Sequence, residues 1–190
     1  ITHLTTHNSK ILSNNIYAIL SNQKEELFLT GESSIAIYNK KNHEITNWTE
    51  DEGLFKAKFN QNAVCRSNIG NLLLGTSEGV FIMDLHSFAL SQTKFDYTYL
   101  KYKLDDPNSM KLEKINCIIE DKDGGIWLGS NGHGLYQAIE ESPNQFTFRN
   151  YTRKDGLPNN YIIGIVEDNY NNLWMTTNYG ISRLDRNTLF

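Results

Sequence analysis

Two pairs of adjacent carboxylates are the strongest candidates for chemistry in this sequence, Glu120-Asp121 and Glu167-Asp168. A glycoside hydrolase needs an acid and a base about 5–10 Å apart across a sugar ring. Neighbouring residues of a β-strand point to opposite faces of the sheet, so neither pair can supply both groups by itself. Because the same pair recurs in two similar segments, we interpret it as a structural element at the end of a strand and its turn.

Other reactive or metal-binding residue types predict no catalytic or metal centre. The run Asp121-Lys-Asp-Gly124 resembles the start of a calcium loop, but the further ligands of such a loop do not follow, and a β-turn explains the run. Cys65 and Cys117 lie among apolar residues, so we expect buried free thiols, or a disulfide if shear between repeats closes their offset. The five histidines are scattered, with no Ser-His-Asp or Cys-His pattern. We therefore expect no catalytic residue, no metal and no cofactor.

The composition narrows the protein classes further. Hydrophobic residues make up 39% of the 190 residues, which is enough for a packed core. The net charge of −4 gives no positive surface for nucleic acid or an anionic membrane. No apolar run approaches the ~20 residues of a membrane span. Because no charged, then apolar, then small-residue segment opens the sequence, we expect no signal peptide. We expect either a cytoplasmic protein or one that begins at a processed boundary.

The elements that would position these residues repeat along the chain. Residues 115–136 and 162–185 align with each other, so that Glu120-Asp121 meets Glu167-Asp168 and Trp127 meets Trp174. Two weaker copies lie upstream, with Phe28 and Leu73 at the tryptophan position. The four positions are spaced by 45, 54 and 47 residues. The sequence thus contains about four repeats, with approximate boundaries 1–44, 45–92, 93–145 and 146–190.

Each repeat holds four short segments of strand chemistry, rich in β-branched and aromatic residues and bounded by Asn, Gly and Asp. We label them D, A, B and C in chain order; the D segments begin at Ile1, Ile45, Phe95 and Phe146. No window shows a sustained helical stripe. A period of this length with four strands predicts an all-β fold of β-propeller blades, each a four-stranded antiparallel sheet. Trp127 and Trp174 would then pack between blades.

The best-matching repeats also resemble a known family. The pattern Glu-Asp, a turn, Ile/Leu-Trp and a later Gly-Leu or Gly-Ile, preceded by Asp155-Gly-Leu-Pro158, resembles the two-component regulator propeller repeat. The likeness covers about residues 105–185 strongly. The first repeat lacks the turn glycine and has Phe28 in place of tryptophan. Its structural signature here comprises Asp121, Trp127, Gly129, Gly134, Asp168, Trp174 and Gly180.

The resemblance implies a function that the composition alone does not indicate. Such repeats build periplasmic or extracellular sensor domains of inner-membrane hybrid two-component proteins in Bacteroidetes, which bind glycan breakdown products and regulate polysaccharide-utilisation genes. It also implies a propeller of seven or eight blades, of which this chain would be a part, and a homodimer in the full-length protein. A complete small propeller, or one completed by a second copy, also fits the four repeats. The partners would be further blades or a second copy, and exposed end blades predict self-association.

Propeller topology places the candidate ligand-binding residues. If strand A lines the central channel, the D–A and B–C loops share one face. We expect ligand contacts there from Asn131, His133, Asn159, Asn160, Asn178 and Tyr179, because amides and rings suit sugar hydroxyls and sugar faces. The run Asn131-Gly-His-Gly134 is the most distinctive of these loops, although a plain surface turn explains it as well.

Three functions from different classes fit the sequence. The first is a non-catalytic module that binds an oligosaccharide or another small ligand. The second is a propeller glycoside hydrolase or lyase, which needs carboxylates converging from different blades. The third is a protein–protein scaffold with an apolar patch in place of a polar channel mouth.

Overall fold

The computed structural model describes residues 3–21, 25–50, 54, 58–85, 96–104, 106, 109–111 and 114–188. These residues form an all-β structure with two short 3₁₀ helices, Arg153–Asp155 and Arg186–Thr188. The strands are β1 (Ala18–Ser21), β2 (Glu26–Thr30), β3 (Ile35–Asn39), β4 (Ile45–Trp48), β5 (Phe59–Arg66), β6 (Leu72–Thr76), β7 (Gly79–Met83), β8 (Tyr97–Lys101), β9 (Ile115–Glu120), β10 (Ile126–Ser130), β11 (Leu135–Ser142), β12 (Gln145–Tyr151), β13 (Ile162–Glu167), β14 (Asn172–Thr177) and β15 (Gly180–Asp185).

The strands form four antiparallel sheets in chain order. Sheet 1 is β1-β2-β3-β4, sheet 2 is β5-β6-β7-β8 and sheet 3 is β9-β10-β11-β12, while sheet 4 has three described strands, β13-β14-β15. The first strands of successive sheets, β1, β5, β9 and β13, contact one another in turn. The prediction of β-propeller blades is thus confirmed.

The D strands join the sheet that precedes them in the chain. Ile45–Trp48 pairs with β3, Tyr97–Lys101 with β7 and Gln145–Tyr151 with β11. Each sheet therefore reads A-B-C-D and is offset by one strand from the sequence repeats. The D strand expected at the start of the chain is not found, because residues 3–5 form no strand and residues 1–2 lie outside the described part.

The core consists of layers between neighbouring sheets. Phe28 and Phe81 are in the layer between sheets 1 and 2, Leu73 and Leu128 in the layer between sheets 2 and 3, and Trp127 in the layer between sheets 3 and 4. A further cluster lies on the other face of sheet 1, where Ile11 packs with Leu29, Ala36 and Ile45. The chain therefore buries apolar side chains by stacking sheets, as single blades cannot.

The two aligned tryptophans differ in burial. Trp127 is 1% exposed, because sheet 4 covers the face of sheet 3 on which it lies. Trp174 occupies the same place on sheet 4 and is 40% exposed. Val166 and Ile181 on that face are exposed as well. No described sheet lies over Trp174, so its packing between blades stays a prediction.

Within the part of the chain that the structure describes, no helix has the length and apolar character needed to span a bilayer.

Candidate functional site

The loops of the predicted ligand-binding face meet where sheet 3 leads into sheet 4. The turn between β10 and β11 (residues 131–134) lies against the connection from β12 to β13 (residues 152–161). The Gly134 N–H donates to the carbonyl oxygen of Asn160 over 2.8 Å, and Asn131 forms an antiparallel bridge with Tyr161. The structure thus brings Asn131 and Asn160 together, as neighbouring loops of one face.

Asparagine side chains hold the second of these loops. The Asn159 side-chain oxygen accepts from the Tyr161 N–H at 2.7 Å, and that of Asn160 accepts from the Arg153 N–H at 2.8 Å. Leu157 is buried at the start of the loop, and its N–H donates to Thr152. Both amide oxygens accept from the loop itself, and the amide nitrogens of Asn159 and Asn160 are donors that can contact a ligand.

His133 lies half-buried at the tip of the first loop. Its backbone N–H donates to the Ser130 hydroxyl at 3.0 Å, and this hydroxyl donates to the Gly134 carbonyl at 2.9 Å. Partial burial lowers the pKa of His133, and the charge of Lys111 lowers it further. The imidazole is therefore neutral at pH 7, with one nitrogen donor and one acceptor. A neutral ring of this kind suits a hydroxyl-bearing ligand.

Asn178 and Tyr179 lie on the equivalent turn of sheet 4, between β14 and β15. The Tyr179 N–H donates to the Thr177 hydroxyl, which donates to the Gly180 carbonyl, both over 3.0 Å. The Tyr179 side chain is 76% exposed, so its ring is open to stack on a ligand.

A Ser or Thr at the end of strand B organises these turns, and this role was not predicted from the sequence. Ser130 and Thr177 each end strand B and bond both arms of the turn that follows, and Thr76 does the same in sheet 2. The signal was present in the sequence, since a Ser or Thr ends strand B in every repeat, with Thr30 in the first.

The repeated aspartates fasten the opposite end of the sheets. Asp121 accepts the indole N–H of Trp127 at 2.6 Å, and Asp168 accepts that of Trp174 at 2.8 Å. The second oxygen of each carboxylate accepts two backbone N–H groups of its A–B turn. For Asp168 burial opposes ionisation, but the donors from Trp174, Asn172 and the turn prevail and hold its pKa well below the ordinary range. These carboxylates are structural anchors in the geometry observed.

The repeated glutamates link one sheet to the sheet before it. Glu120, at the end of β9, accepts from the backbone N–H of Asn68 in the A–B turn of sheet 2. Glu167, at the end of β13, accepts from the backbone N–H of Lys122 in the A–B turn of sheet 3, at 2.8 Å. Each glutamate thus holds the turn of its neighbour, which is a long-range contact that a single repeat cannot reveal.

Arg186 completes the link between sheets 3 and 4. Its largely buried guanidinium pairs with Asp121 at 2.7 Å, with Asp123 at 3.1 Å and with Glu167. Charge-assisted bonds of this kind fix both turns against each other. No motif of the sequence indicates this arginine, because no other repeat has an arginine at the aligned position.

Two signature glycines permit close contacts between strands. A Cβ at Gly129 would lie 2.4 Å from Cys117 Sγ and 2.7 Å from Ile162 Cγ2, so a side chain there would collide with sheet 4. Gly134, with a φ of 91°, has the Tyr151 carbonyl oxygen 2.1 Å from the place of its Cβ. Gly180 has the same left-handed backbone but nothing within 4 Å.

The cysteines are free in the structure. Burial raises the pKa of Cys117 to about 12 and also raises that of Cys65. The disulfide considered from the sequence is therefore not formed, and both thiols are unreactive in their apolar surroundings. No group of three or more His, Cys, Asp or Glu that could hold a metal occurs among the described residues.

Comparisons with known proteins show what two stretches of this chain are similar to. The family model "Two component regulator propeller" matches residues 109–132 and 156–179, which include the signature aspartates and tryptophans of sheets 3 and 4. No curated protein matches the chain.

Solved structures share the fold. The extracellular domain assigned to the hybrid two-component system BT3049 of B. thetaiotaomicron matches with a TM-score of 0.74 and 23% identity, over 100% of this chain and 24% of that one. The extracellular domain of BT4673, assigned as a one-component system of the same organism, gives 0.68 and 18%, over 96% and 23%. Virginiamycin B lyase of Staphylococcus aureus gives 0.60 and 15%, over 89% and 52%.

These likenesses extend to extracellular domains of two-component and one-component systems and to an enzyme, so they establish the propeller architecture rather than an activity. The chain spans about a quarter of the length of the two-component relatives. The sheets agree with the β-propeller blades predicted from the sequence, and residues 109–132 and 156–179 match the two-component regulator propeller repeat.

Proposed function

We propose that this chain is part of a non-catalytic, ligand-binding propeller in a membrane-attached signalling protein, and that its ligand is an oligosaccharide. The observation that carries the proposal is the contact between the two asparagine-rich loops, in which Gly134 donates to Asn160 and Asn131 bridges Tyr161. Two loops fixed to each other present a rigid polar surface, which reduces the ordering cost of binding.

The side chains of this face suit a neutral, hydroxyl-rich ligand. His133 is uncharged at pH 7, and the amide nitrogens of Asn159 and Asn160 are donors. The exposed ring of Tyr179 offers a flat apolar surface for the C–H face of a sugar. Fixed donors and acceptors beside a ring are the usual means of orienting a polar ligand.

A sensing role accounts for the use of the carboxylates. The acid–base pair of a glycosidase must face one substrate. Here Asp121 and Asp168 each bind an indole and a turn, and Glu120 and Glu167 bind a neighbouring turn. With these groups committed to the fold, binding without turnover is the better proposal, and a ligand would act by biasing the association of domains.

The proposed location and partners follow from the same reasoning. A protein that senses glycans outside the cytoplasm would carry this segment in a periplasmic or extracellular domain attached to the inner membrane. The exposed face of sheet 4, with Val166, Trp174 and Ile181, would be covered by a further blade or by a second copy. Light scattering on the chain at high concentration tests the second option, and a stable monomer would contradict self-association.

The ligand proposal is tested by calorimetry with a panel of host and dietary oligosaccharides. Two exposed tyrosines of sheet 4 provide a matched pair of variants, since Tyr179 lies on the proposed face and Tyr170, 79% exposed, lies at the opposite end. We expect binding by the wild-type protein to weaken in Tyr179→Ala and in His133→Ala, and to be unchanged in Tyr170→Ala. No heat from any sugar would refute the glycan proposal.

A turnover assay on the same panel separates sensing from catalysis. Chromatography of the sugars after incubation should recover them intact. Cleaved or eliminated products would instead support the enzyme class, to which one structural relative, virginiamycin B lyase, belongs.

A further inference from the structure

The loop of residues 131–134 contains the single Asn-Gly pair of the sequence, Asn131-Gly132. The side-chain amide of an asparagine lies close to the backbone nitrogen of the next residue, and a glycine in that place has no side chain to hinder their approach. Groups held near each other within one chain react as if they were very concentrated. The pair is therefore a candidate for a reaction between the Asn131 amide and the Gly132 nitrogen.

The backbone of Gly132 leaves its nitrogen available. Its N–H makes no hydrogen bond with any described residue, and Gly132 is exposed. A Cβ at Gly132 would meet nothing within 4 Å, and its φ of 137° is a conformation that glycine adopts readily. The nitrogen can therefore turn towards the preceding side chain without the loss of a backbone hydrogen bond.

The side chain of Asn131 is available as well. Its amide has no hydrogen-bond partner in the part of the chain that the structure describes, whereas the amide oxygens of Asn159 and Asn160 accept from backbone N–H groups. The Asn131 backbone is held, since its N–H donates to the Lys114 carbonyl at 3.0 Å and the residue bridges Tyr161. The amide can thus rotate on a backbone that stays in place.

The two Asp-Gly pairs of the sequence, which contain Gly124 and Gly156, differ in this respect. The Gly124 N–H donates to the Asp121 carbonyl at 3.0 Å, and the Gly156 N–H donates to the Arg153 carbonyl at 3.3 Å. Attack by either nitrogen would first have to break a backbone hydrogen bond. The structure thus distinguishes the loop of residues 131–134 from both of these turns.

We propose that Asn131 is a deamidation site, at which the Gly132 nitrogen attacks the side-chain carbonyl carbon of Asn131. A new C–N bond closes a five-membered imide, the bond from this carbon to the side-chain nitrogen breaks, and that nitrogen leaves as ammonia with the Gly132 amide hydrogen. Water then opens the imide at one of its two carbonyl groups. The product is aspartate, or isoaspartate, in which the main chain runs through the side-chain carbon.

The reaction would alter the contact between the loops of sheets 3 and 4. Isoaspartate adds one methylene to the backbone between residue 131, which bridges Tyr161, and Gly134, which donates to Asn160. The two contacts could then not keep their present spacing. Both products also replace a neutral amide by a carboxylate on this face. The proposal stands whether or not the face binds an oligosaccharide.

Peptide mass spectrometry of the whole chain, kept folded at pH 8 for several weeks, tests the proposal. The signal is the gain in mass at residue 131 when the NH₂ group is replaced by OH, and fragmentation separates aspartate from isoaspartate. A parallel incubation in urea gives the rate for the unfolded chain. We expect the folded rate at Asn131 to lie within about three-fold of the urea rate, because an unbonded loop opens at almost no cost in free energy.

Asp123→Asn is the matched control, because it creates a second Asn-Gly pair in which the glycine N–H, that of Gly124, is bonded. Both pairs should react alike in urea. In the folded chain, the pair at position 123 should deamidate at least about ten-fold more slowly than Asn131, the effect of one backbone hydrogen bond that must open. Asn131→Gln keeps an amide but needs a larger ring, so position 131 should stay unmodified in this variant.

Hydrogen exchange measures the effect on the loop contact. The Gly134 N–H of the aged wild-type chain should exchange faster than that of aged Asn131→Gln, and equal exchange would refute this effect. The proposal itself would be overturned by an Asn131 that reacts in urea but stays intact in the folded chain. Equal folded rates at Asn131 and at position 123 of Asp123→Asn would overturn it as well.

Discussion

The two aligned tryptophans allow the cost of an uncovered blade face to be measured within one chain. Trp127 and Trp174 occupy the same position in consecutive sheets, and each donates its indole N–H to the aspartate six residues before it. The two side chains differ in burial, because Trp127 is packed between sheets 3 and 4, whereas no described sheet packs on Trp174. We therefore predict that Trp127→Ala destabilises the chain considerably more than Trp174→Ala.

The size of the difference follows from the buried area. A fully buried tryptophan removes about 200 Å² from water, which corresponds to about 5 kcal/mol at ~25 cal/mol per Å². Trp127 gains almost all of this free energy of burial. Trp174, which is 40% exposed, gains roughly three fifths of it, about 3 kcal/mol. Trp127→Ala also leaves a cavity between packed sheets, while the site of Trp174 opens to water. After allowance for the alanine side chain, we expect losses of about 4 and 2 kcal/mol.

The assay is urea denaturation at low micromolar protein, followed by circular dichroism so that the loss of an indole does not alter the signal. Low concentration keeps a second copy from covering Trp174. Trp127→Phe and Trp174→Phe serve as controls, because they remove the hydrogen bond to aspartate but retain most of the ring. Equal losses for the two alanine variants, within about 0.5 kcal/mol, would refute the reasoning that cover by a neighbouring sheet decides the cost.

Three further outcomes are expected. Gly129→Ala should lower the free energy of unfolding by about 1–3 kcal/mol in thermal denaturation, because its Cβ would overlap Cys117 Sγ, whereas Gly164→Ala, with its nearest atom at 3.3 Å, should cost less than half as much. The pKa of Asp168 is lower in the folded chain than its ordinary value of 3.8, so its stabilisation is present above that value and is lost as the pH falls through the folded pKa. Urea midpoints should therefore drop below about pH 4, and Asp168→Asn should show a weaker drop; an unaltered pH dependence would contradict this role. Burial and raised pKa values should protect Cys117 from iodoacetamide at pH 8 until the chain unfolds, with Cys65 reacting first; rapid labelling of Cys117 in the native chain, detected by mass spectrometry, would show that its surroundings are open.

The repeating pattern of the sequence was sufficient to predict the blades, because strand chemistry and turn residues are local properties. The same pattern placed the loops of residues 131–134 and 157–161 on one face, where the structure shows them in contact. The motif could not distinguish Trp127 from Trp174, since their local sequences are alike and only the presence of a neighbouring sheet separates them.

Contacts between sheets could not be predicted from the sequence. The bond from Lys122 to Glu167 joins residues 45 positions apart, and the pair of Arg186 with Asp121 spans 65. The assignment of each D strand to the preceding sheet was equally hidden, because the strand is defined by its composition and its sheet by its pairing partner. The candidate carboxylates thus acquired a definite role only when both sheets were seen together.

The direction of the glutamate link has a consequence for how the chain is made. Glu120 holds the A–B turn of sheet 2 and Glu167 that of sheet 3, so each turn is fastened by a strand synthesised later. During translation, the A–B turn of a sheet therefore lacks its glutamate partner until the first strand of the next sheet has been synthesised. Folding during synthesis generally begins with the N-terminal parts of a chain. The A–B turns are therefore fixed in the order in which the sheets are synthesised, because each new sheet supplies the glutamate that binds the turn of the sheet before it.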